Sequence, residues 1–329
     1  MKRFKNILLF LNLGAGDKAI LRRAASLAET NRAQLVLVDV LEELPRDMQK
    51  LIVAITPMEL QKCVIHERQK QLEHLVAPIR KEGLRVGVNV LIGTPFLEII
   101  RQVLRQKHDL VIMAAGGRGG LKGRLFGSTS LHLMRKCPCP VWVMRPTWRE
   151  RFHRILAAVD PMCAEGDKNL LNIKIMDLAT SLAKMEQSEL HIVHAWNFRG
   201  DDLMGVRGRM SGETIDQLAN QTRAIHKKGF DELIGNYSLK NLNHRSHFLK
   251  GDPAALITDL AAEHAIDLIV MGTVCRTGVA GFFIGNTAEN VLQQVDCSVL
   301  TVKPEGFVSP VKLKAAASSG NAVRGKARL

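Results

Sequence analysis

Much of this chain is written twice, and no other feature constrains its fold as strongly. His108-Asp109-Leu110-Val111-Ile112-Met113 in the first half returns as Ile266-Asp267-Leu268-Ile269-Val270-Met271 in the second. Phe126-Gly127-Ser128-Thr129 returns as Ile284-Gly285-Asn286-Thr287, and the strand-like run from Pro140 to Pro146 as the run from Ser298 to Pro304. The starts match as well, Arg3-Phe4-Lys5-Asn6-Ile7-Leu8 against Arg151-Phe152-His153-Arg154-Ile155-Leu156. This spacing far exceeds the about 20–50 residues of a solenoid repeat and indicates a duplicated domain. A chain of 329 residues has room for two domains, each with its own core. The expected boundaries are 1–147 and 150–307, followed by a basic, disordered tail over 308–329.

Each copy alternates short apolar runs with helical spacing. In the first, strands are expected at Ile7–Leu11, Gln34–Val40, Leu84–Val90, Leu110–Ala114 and Val141–Arg145. Helices are expected over 17–30, 57–82, 94–106 and 128–136, with Thr94 as an N-cap and Pro95 at the first helical position. In the second, strands fall near Ile155–Val159, Glu189–Ala195, Arg245–Leu249, Leu268–Met271 and Val299–Val302, and Asp252-Pro253 repeats the cap-then-proline device. Near-continuous apolar strands alternating with helices predict an α/β fold of two tandem doubly wound domains, each with a five-stranded parallel sheet covered on both faces. Such sheets take their ligands beyond the carboxyl ends of the strands, where the strand order switches. The exposed edge of each sheet must be hidden, and the two fifth strands can pair with one another inside one chain. Association into a homodimer and contacts with other proteins stay open.

Composition narrows the function. No apolar run approaches the roughly 20 residues that span a bilayer. Lys2, Arg3 and Lys5 before Ile7-Leu8-Leu9-Phe10-Leu11 imitate a signal peptide, yet the same segment recurs internally at Ile155, so a strand and a cytoplasmic location are expected. The six cysteines are scattered; Cys137-Pro138-Cys139 lacks metal or redox spacing, and Cys139 and Cys297, repeat equivalents, are expected to pack. The net charge of +14 is partly carried by Lys312, Lys314, Arg324, Lys326 and Arg328 in the tail, which predicts nonspecific contact with nucleic acid. With one tyrosine in the chain, there is no stacking platform for a dedicated reader.

In both copies the fourth strand runs into a glycine-bearing loop and then a Gly-Ser or Gly-Asn helix start. Glycines let backbone N–H groups approach an anion, and a helix N-terminus adds unpaired donors and the positive end of a dipole. Repeated at the ligand end of both sheets, the pattern predicts phosphate binding. It resembles the G-x2-G-x9-G-[S/T] nucleotide signature of the universal stress proteins. Met271-Gly272-Thr273-Val274-Cys275-Arg276-Thr277-Gly278, Gly285-Asn286-Thr287-Ala288-Glu289 and Leu133-Met134-Arg135-Lys136-Cys137-Pro138 carry the likeness, and the chain from about 3 to 307 is similar to the tandem, E-type members. The resemblance implies the adenine nucleotide alpha hydrolase-like fold, ATP lying across strands one and four, pairing through the fifth strands, and a role in stress tolerance.

The two copies depart from the family signature differently. In the first, the resemblance assigns nucleotide contacts to Asn12, Val40, Met113, Ala114, Gly117, Gly127, Ser128 and Thr129. The first glycine is lost to Ala114, Asn12 stands where the family carries aspartate, and Arg118, Lys122 and Arg124 make the loop cationic. In the second, the contacts fall on Asp160, Ala195, Met271, Gly272, Cys275, Gly285, Asn286 and Thr287. Asp160 and Gly272 keep the pattern, while Cys275 replaces the second glycine and Asn286 the hydroxyl; both changes strike the phosphate end, which survives in the first copy, so ATP is expected in the first copy ahead of the second. Cys275 beside Arg276 can be read as a redox thiol or as a tolerated neutral substitution; with no resolving cysteine near it in sequence, the second is preferred.

Three functions remain to be weighed. The first is a non-catalytic stress protein that senses ATP or another adenine nucleotide. The second is a weak ATPase or nucleotide-activating enzyme, but no G-x-x-x-x-G-K-[ST] occurs and the loops after the first strands lack an S-G-G-x-D-S pattern. The third is a binder of a lipid or hydrophobic metabolite, lidded by Leu51-Ile52-Val53-Ala54-Ile55 and Asp202-Leu203-Met204-Gly205-Val206. The eleven histidines offer no metal pattern in sequence: His191 and His194, spaced i,i+3 on a strand, point to opposite faces. No metal is expected beyond an ion accompanying ATP.

Overall fold

The computed structural model describes residues 3–14, 17–43, 56–116, 126–145, 151–162, 167–198, 212–273 and 285–313. The first half runs β1 (Asn6–Phe10), α1 (Asp17–Asn31), β2 (Gln34–Leu41), α2 (Pro57–Lys81), β3 (Val86–Ile92), α3 (Pro95–Gln106), β4 (Leu110–Ala114), α4 (Ser128–Lys136) and β5 (Val141–Met144). The second repeats it as β6 (Arg154–Ala158), α5 (Asp167–Glu186), β7 (Glu189–Trp196), α6 (Gly212–Gly235), β8 (His244–Lys250), α7 (Pro253–Glu263), β9 (Leu268–Gly272), α8 (Asn286–Gln294) and β10 (Ser298–Val302).

The strands form one ten-stranded sheet in the order β3-β2-β1-β4-β5-β10-β9-β6-β7-β8. Pairing is parallel within each half and antiparallel only where β5 meets β10, with Leu300 opposite Trp142. The fifth strands therefore hide each other's edge, as a parallel sheet requires. Alternation along β1 shows why its sequence is apolar throughout: Ile7 and Leu9 enter one core and Leu8 and Phe10 the other. One face is covered by α1, α2, α5 and α6, through Ala24, Val76, Ala179 and Phe230 among others; α3, α4, α7 and α8 cover the opposite face through Ile100, Leu133, Ile257 and Val291.

The seam between the halves is packed on both faces. Trp142, fully buried on β5, stacks on Phe152 at 5.7 Å, and the Arg23 guanidinium lies 3.5 Å over the Phe152 ring while pairing with Glu186 at 2.8 Å. On the other face Arg135 of α4 pairs with Glu289 of α8.

Some local expectations shift. The third strand starts at Val86, not Leu84, because its pairing with β2 begins at Leu35↔Val86. Thr94 stands at the N-cap of α3 but makes no side-chain capping bond, so that start rests on Pro95 and the backbone; Asp252 does cap α7, accepting from Ala255 N at 2.9 Å. Of the expected tail, 314–329 lies outside the described residues, whereas Val311 is buried in a core and the Lys312 carbonyl accepts from Arg101 Nε at 3.4 Å.

Candidate functional site

In each half the strand order reverses at the first strand, placing β1 between β2 and β4, and β6 between β7 and β9. The carboxyl ends of these three strands form a crevice, the place where doubly wound sheets hold ligands.

In the second half the crevice is a cleft of about 900 Å³, and Asp160, Ala195, Met271, Gly272, Gly285, Asn286 and Thr287 all line it. Asp160 lies two residues beyond the end of β6. Its N–H donates to Asn172 Oδ1 at 2.9 Å and its carbonyl accepts from Asn172 Nδ2 at 2.9 Å, so a buried amide on α5 clamps the turn. Across the cleft, Gly285 N donates to the Thr273 carbonyl at 3.0 Å, which fixes the start of α8 beside the end of β9. Gly285 is the N-cap of α8, so Asn286 and Thr287 are its first helical residues, exposed and half-buried respectively. The leading N–H groups of this helix have no intrahelical acceptor and form the cleft's donor wall. Gly272 has a packing reason of its own: a Cβ there would meet Leu171 Cδ2 at 2.9 Å. Cys275 lies outside the described residues.

In the first half the strand register aligns the same positions. Val40 and Met113 are buried at the ends of β2 and β4, Ala114 closes β4, and Asn12 follows β1. Gly127 is the N-cap of α4, and Ser128 and Thr129 open the helix, with Ser128 exposed. Ser128 therefore does not cap, and the helix start has no side-chain cap; Ser130 Oγ donates back to the Gly127 carbonyl at 2.8 Å. Gly117, Arg118, Lys122 and Arg124 lie outside the described residues, as do the two apolar lid segments. The loop after β1 is held by Asp17, whose carboxylate accepts from Gly14 N at 2.8 Å; burial raises its pKa, and the backbone bonds oppose that shift.

Comparing the halves exposes a pair that sequence reading missed. Asp39 on β2 is fully buried and faces Arg68 of α2 at 3.4 Å; the matching place on β7 is His194, whose Nε2 lies 2.8 Å from His226 Nδ1 on α6. His226 also lines the second cleft. An ionic strand-to-helix contact in one copy is a bis-imidazole contact in the other. Asn172 could have been found, because it interrupts the apolar spacing of α5; His226 carried no such mark on a polar helix face.

The expected packing thiols are buried: Cys137 Sγ and Cys139 Sγ are 3.5 Å apart. Burial pushes Cys297 up to about 12, and the Cys137 contact together with burial raises Cys139 strongly.

The profile of the Universal stress protein family matches residues 3–145 and again 151–303. The chain belongs to the universal stress protein family. Universal stress protein E of Escherichia coli strain K12 is 27% identical over 316 residues, covering 95% of this chain and 98% of that one. Universal stress protein E of Photorhabdus laumondii is 26% identical over 316 residues, covering 95% and 99%. Among solved structures, a functionally unknown protein from Pseudomonas aeruginosa PAO1 superposes with a TM-score of 0.71 at 24% identity, covering 93% of this chain and 95% of that one. A universal stress protein from Archaeoglobus fulgidus superposes at 0.60 with 18% identity, covering 91% and 98%. Two family matches in one chain fit the internal pairing through β5 and β10, and membership is consistent with a stress-related role. Among the described residues no helix of this universal stress protein is long and apolar enough to cross a membrane.

No metal pattern shows in the sequence; in the structure His191, His247 and His264 converge, each presenting a ring nitrogen within 4.8 Å of the others. His191 and His194 do point to opposite faces, but the relevant neighbours come from other elements.

Proposed function

We propose that this universal stress protein is a non-catalytic, cytoplasmic stress factor that binds ATP or another adenine nucleotide in its second-half cleft. One observation carries the reading: seven residues from four separate segments line a single cleft of about 900 Å³ at the switch point of the strand order. That volume lies in the range of about 300–1,000 Å³ typical of small-molecule sites. Val159, Ala195, Ala254 and Met271 offer an apolar floor for a base, and the start of α8 offers donors for phosphate. A metal ion would enter with the phosphates rather than at a site of its own in this cleft.

Binding rather than catalysis is supported by what the titratable lining groups already do. Asp252 caps α7, and His226 is held by His194. Asp160 is the one further carboxylate of the lining among the described residues, placed just beyond the first strand of this half to meet a ribose or base. The other polar walls are amides and a hydroxyl, Asn172, Asn197, Asn286, Asn290 and Thr287, which orient a ligand without moving its protons.

Calorimetric titration of the full chain with ATP tests this, on the parent and on Asn286→Trp and Ser128→Trp, which plug the second and first crevices from exposed positions. Binding lost only in Asn286→Trp supports the reading. Loss only in Ser128→Trp moves the site to the first half, and no binding by the parent rejects nucleotide sensing. Steady release of phosphate from ATP by the parent would reject the non-catalytic part.

A further inference from the structure

A second constellation lies away from the cleft. His191 sits near the start of β7, His247 on β8, and His264 at the C-cap of α7. The cleft, by contrast, gathers the carboxyl ends of β6, β7 and β9 and the amino end of α7. Helices covering a parallel sheet run opposite to its strands, so the C-terminus of α7 and the start of β7 share the far rim. The two sites occupy opposite ends of the second half.

The three rings crowd one another. Centroids are 5.1 Å apart for His191 and His247, 4.8 Å for His191 and His264, and 5.4 Å for His247 and His264. His191 Nδ1 lies 3.0 Å from His247 Nε2. His191 is 1% exposed, and its Nε2 makes no hydrogen bond among the described residues, the facing Glu189 Oε2 standing 3.6 Å away. An orphaned buried ring nitrogen is costly, and apolar side chains would fill this space at less expense if packing were the only demand.

We propose that His191, His247 and His264 form a tris-imidazole site for a divalent transition-metal ion of the zinc class, with water completing the coordination shell. Zinc–imidazole bonds of about 2.0–2.1 Å in a tetrahedral set place neighbouring nitrogens about 3.3 Å apart. One pair already stands at 3.0 Å, and all three ligand atoms lie within 4.8 Å. His247 and His264 are only half-buried, which leaves their rings room to adjust. Imidazole nitrogen suits zinc, nickel or copper, whereas magnesium and calcium require oxygen donors.

The surroundings fit ligation. Glu189 Oε2 lies 3.6 Å from His191 Nε2 and is itself held by Arg245 at 2.7 Å and Arg154 at 3.7 Å; Glu263 stands 4.0 Å from His264. Carboxylates placed behind metal-bound imidazoles commonly fix their orientation. Burial holds His191 down to about 4, opposed by Glu189, with the His247 and His264 rings adding to the shift; burial, His264 and Arg245 also lower His247. Because β8 is the edge of the sheet, an ion here would tie the edge strand and the end of α7 to β7.

The test uses the full chain, stripped with a chelator and titrated with zinc ion alone by calorimetry and thermal unfolding. The expected result is one ion per chain and a raised melting temperature. Binding should weaken by more than about 100-fold in the His247→Ala/His264→Ala variant, since even outer-shell losses cost 10–100-fold. His66→Ala, at an exposed position on α2, should bind as the parent does. Folding is checked independently of the variant by following histidine ring-proton signals of the parent, where zinc should shift those of His191, His247 and His264. No binding by the parent, undiminished binding in the double variant, or shifts confined to other histidines would each overturn the site.

Discussion

Replacing Lys303 with Met should change how stability depends on pH, and the size of the change follows from where that side chain lies. Lys303 directly follows β10 at the seam, 5% exposed, and its Nζ donates to Thr273 Oγ1 at 2.5 Å and to the Arg135 carbonyl at 3.2 Å. Burial lowers its pKa from the ordinary 10.5 to about 8, with the nearby Cys137 sulfur opposing the shift to a smaller extent. In the unfolded chain the ammonium keeps its proton up to about pH 10.5, so between about 8 and 10.5 the unfolded state binds more protons and stability rises with pH. A shift of about 2.5 units at about 1.36 kcal/mol each amounts to roughly 3 kcal/mol. Urea unfolding of parent and Lys303→Met at pH 7, 8.5, 9.5 and 10.5 isolates the effect, because every other group cancels in the difference. Parent stability minus variant stability should climb by about 3 kcal/mol from the lowest to the highest pH. A difference that stays flat within about 0.5 kcal/mol would show that the two hydrogen bonds restore the ammonium fully, and would refute the argument from burial.

Other outcomes follow from packing and caps. Trp142→Ala should cost about 3–5 kcal/mol in denaturant unfolding, whereas Trp142→Phe should cost far less, since the indole Nε1 is buried without a partner among the described residues; equal losses would place the energy elsewhere than in ring volume. Asp252→Ala should lose about 1 kcal/mol of stability and Thr94→Ala only a few tenths, because only the first side chain caps its helix. In the folded protein a thiol reagent followed by peptide mass spectrometry should label exposed Cys63 quickly and Cys137, Cys139 and Cys297 only as fast as the chain unfolds. Rapid labelling of Cys297 would contradict its raised pKa.

Most of the scaffold was legible because its signals are local. A strand buried on both faces must be apolar throughout, so Leu110–Ala114 and Leu268–Gly272 announce themselves, and duplication lets each copy vouch for the other. The glycine before α4 and before α8 marks the helix starts, glycine being among the residues favoured at an N-cap. Fifth-strand pairing was also within reach, since a bare parallel edge demands a partner.

What escaped depends on neighbours distant in sequence. The histidine cluster exists because the parallel register sets Val193 opposite His247, bringing that ring diagonally to His191, and because α7 then lays His264 beside both. Spacing along one strand compares His191 only with His194, on the wrong face. Lys303 looks like a solvated charge at the end of a strand until the second half folds against α4 and closes over it. Gly272 reads as a phosphate glycine, yet Leu171 of α5 occupies the space a Cβ would need. The sequence alone therefore determined the elements, their order and the end of the sheet where a ligand belongs. Which side chains share a site, and which are stripped of water, was decided by tertiary structure alone, because contact and desolvation depend on residues brought together from separate elements.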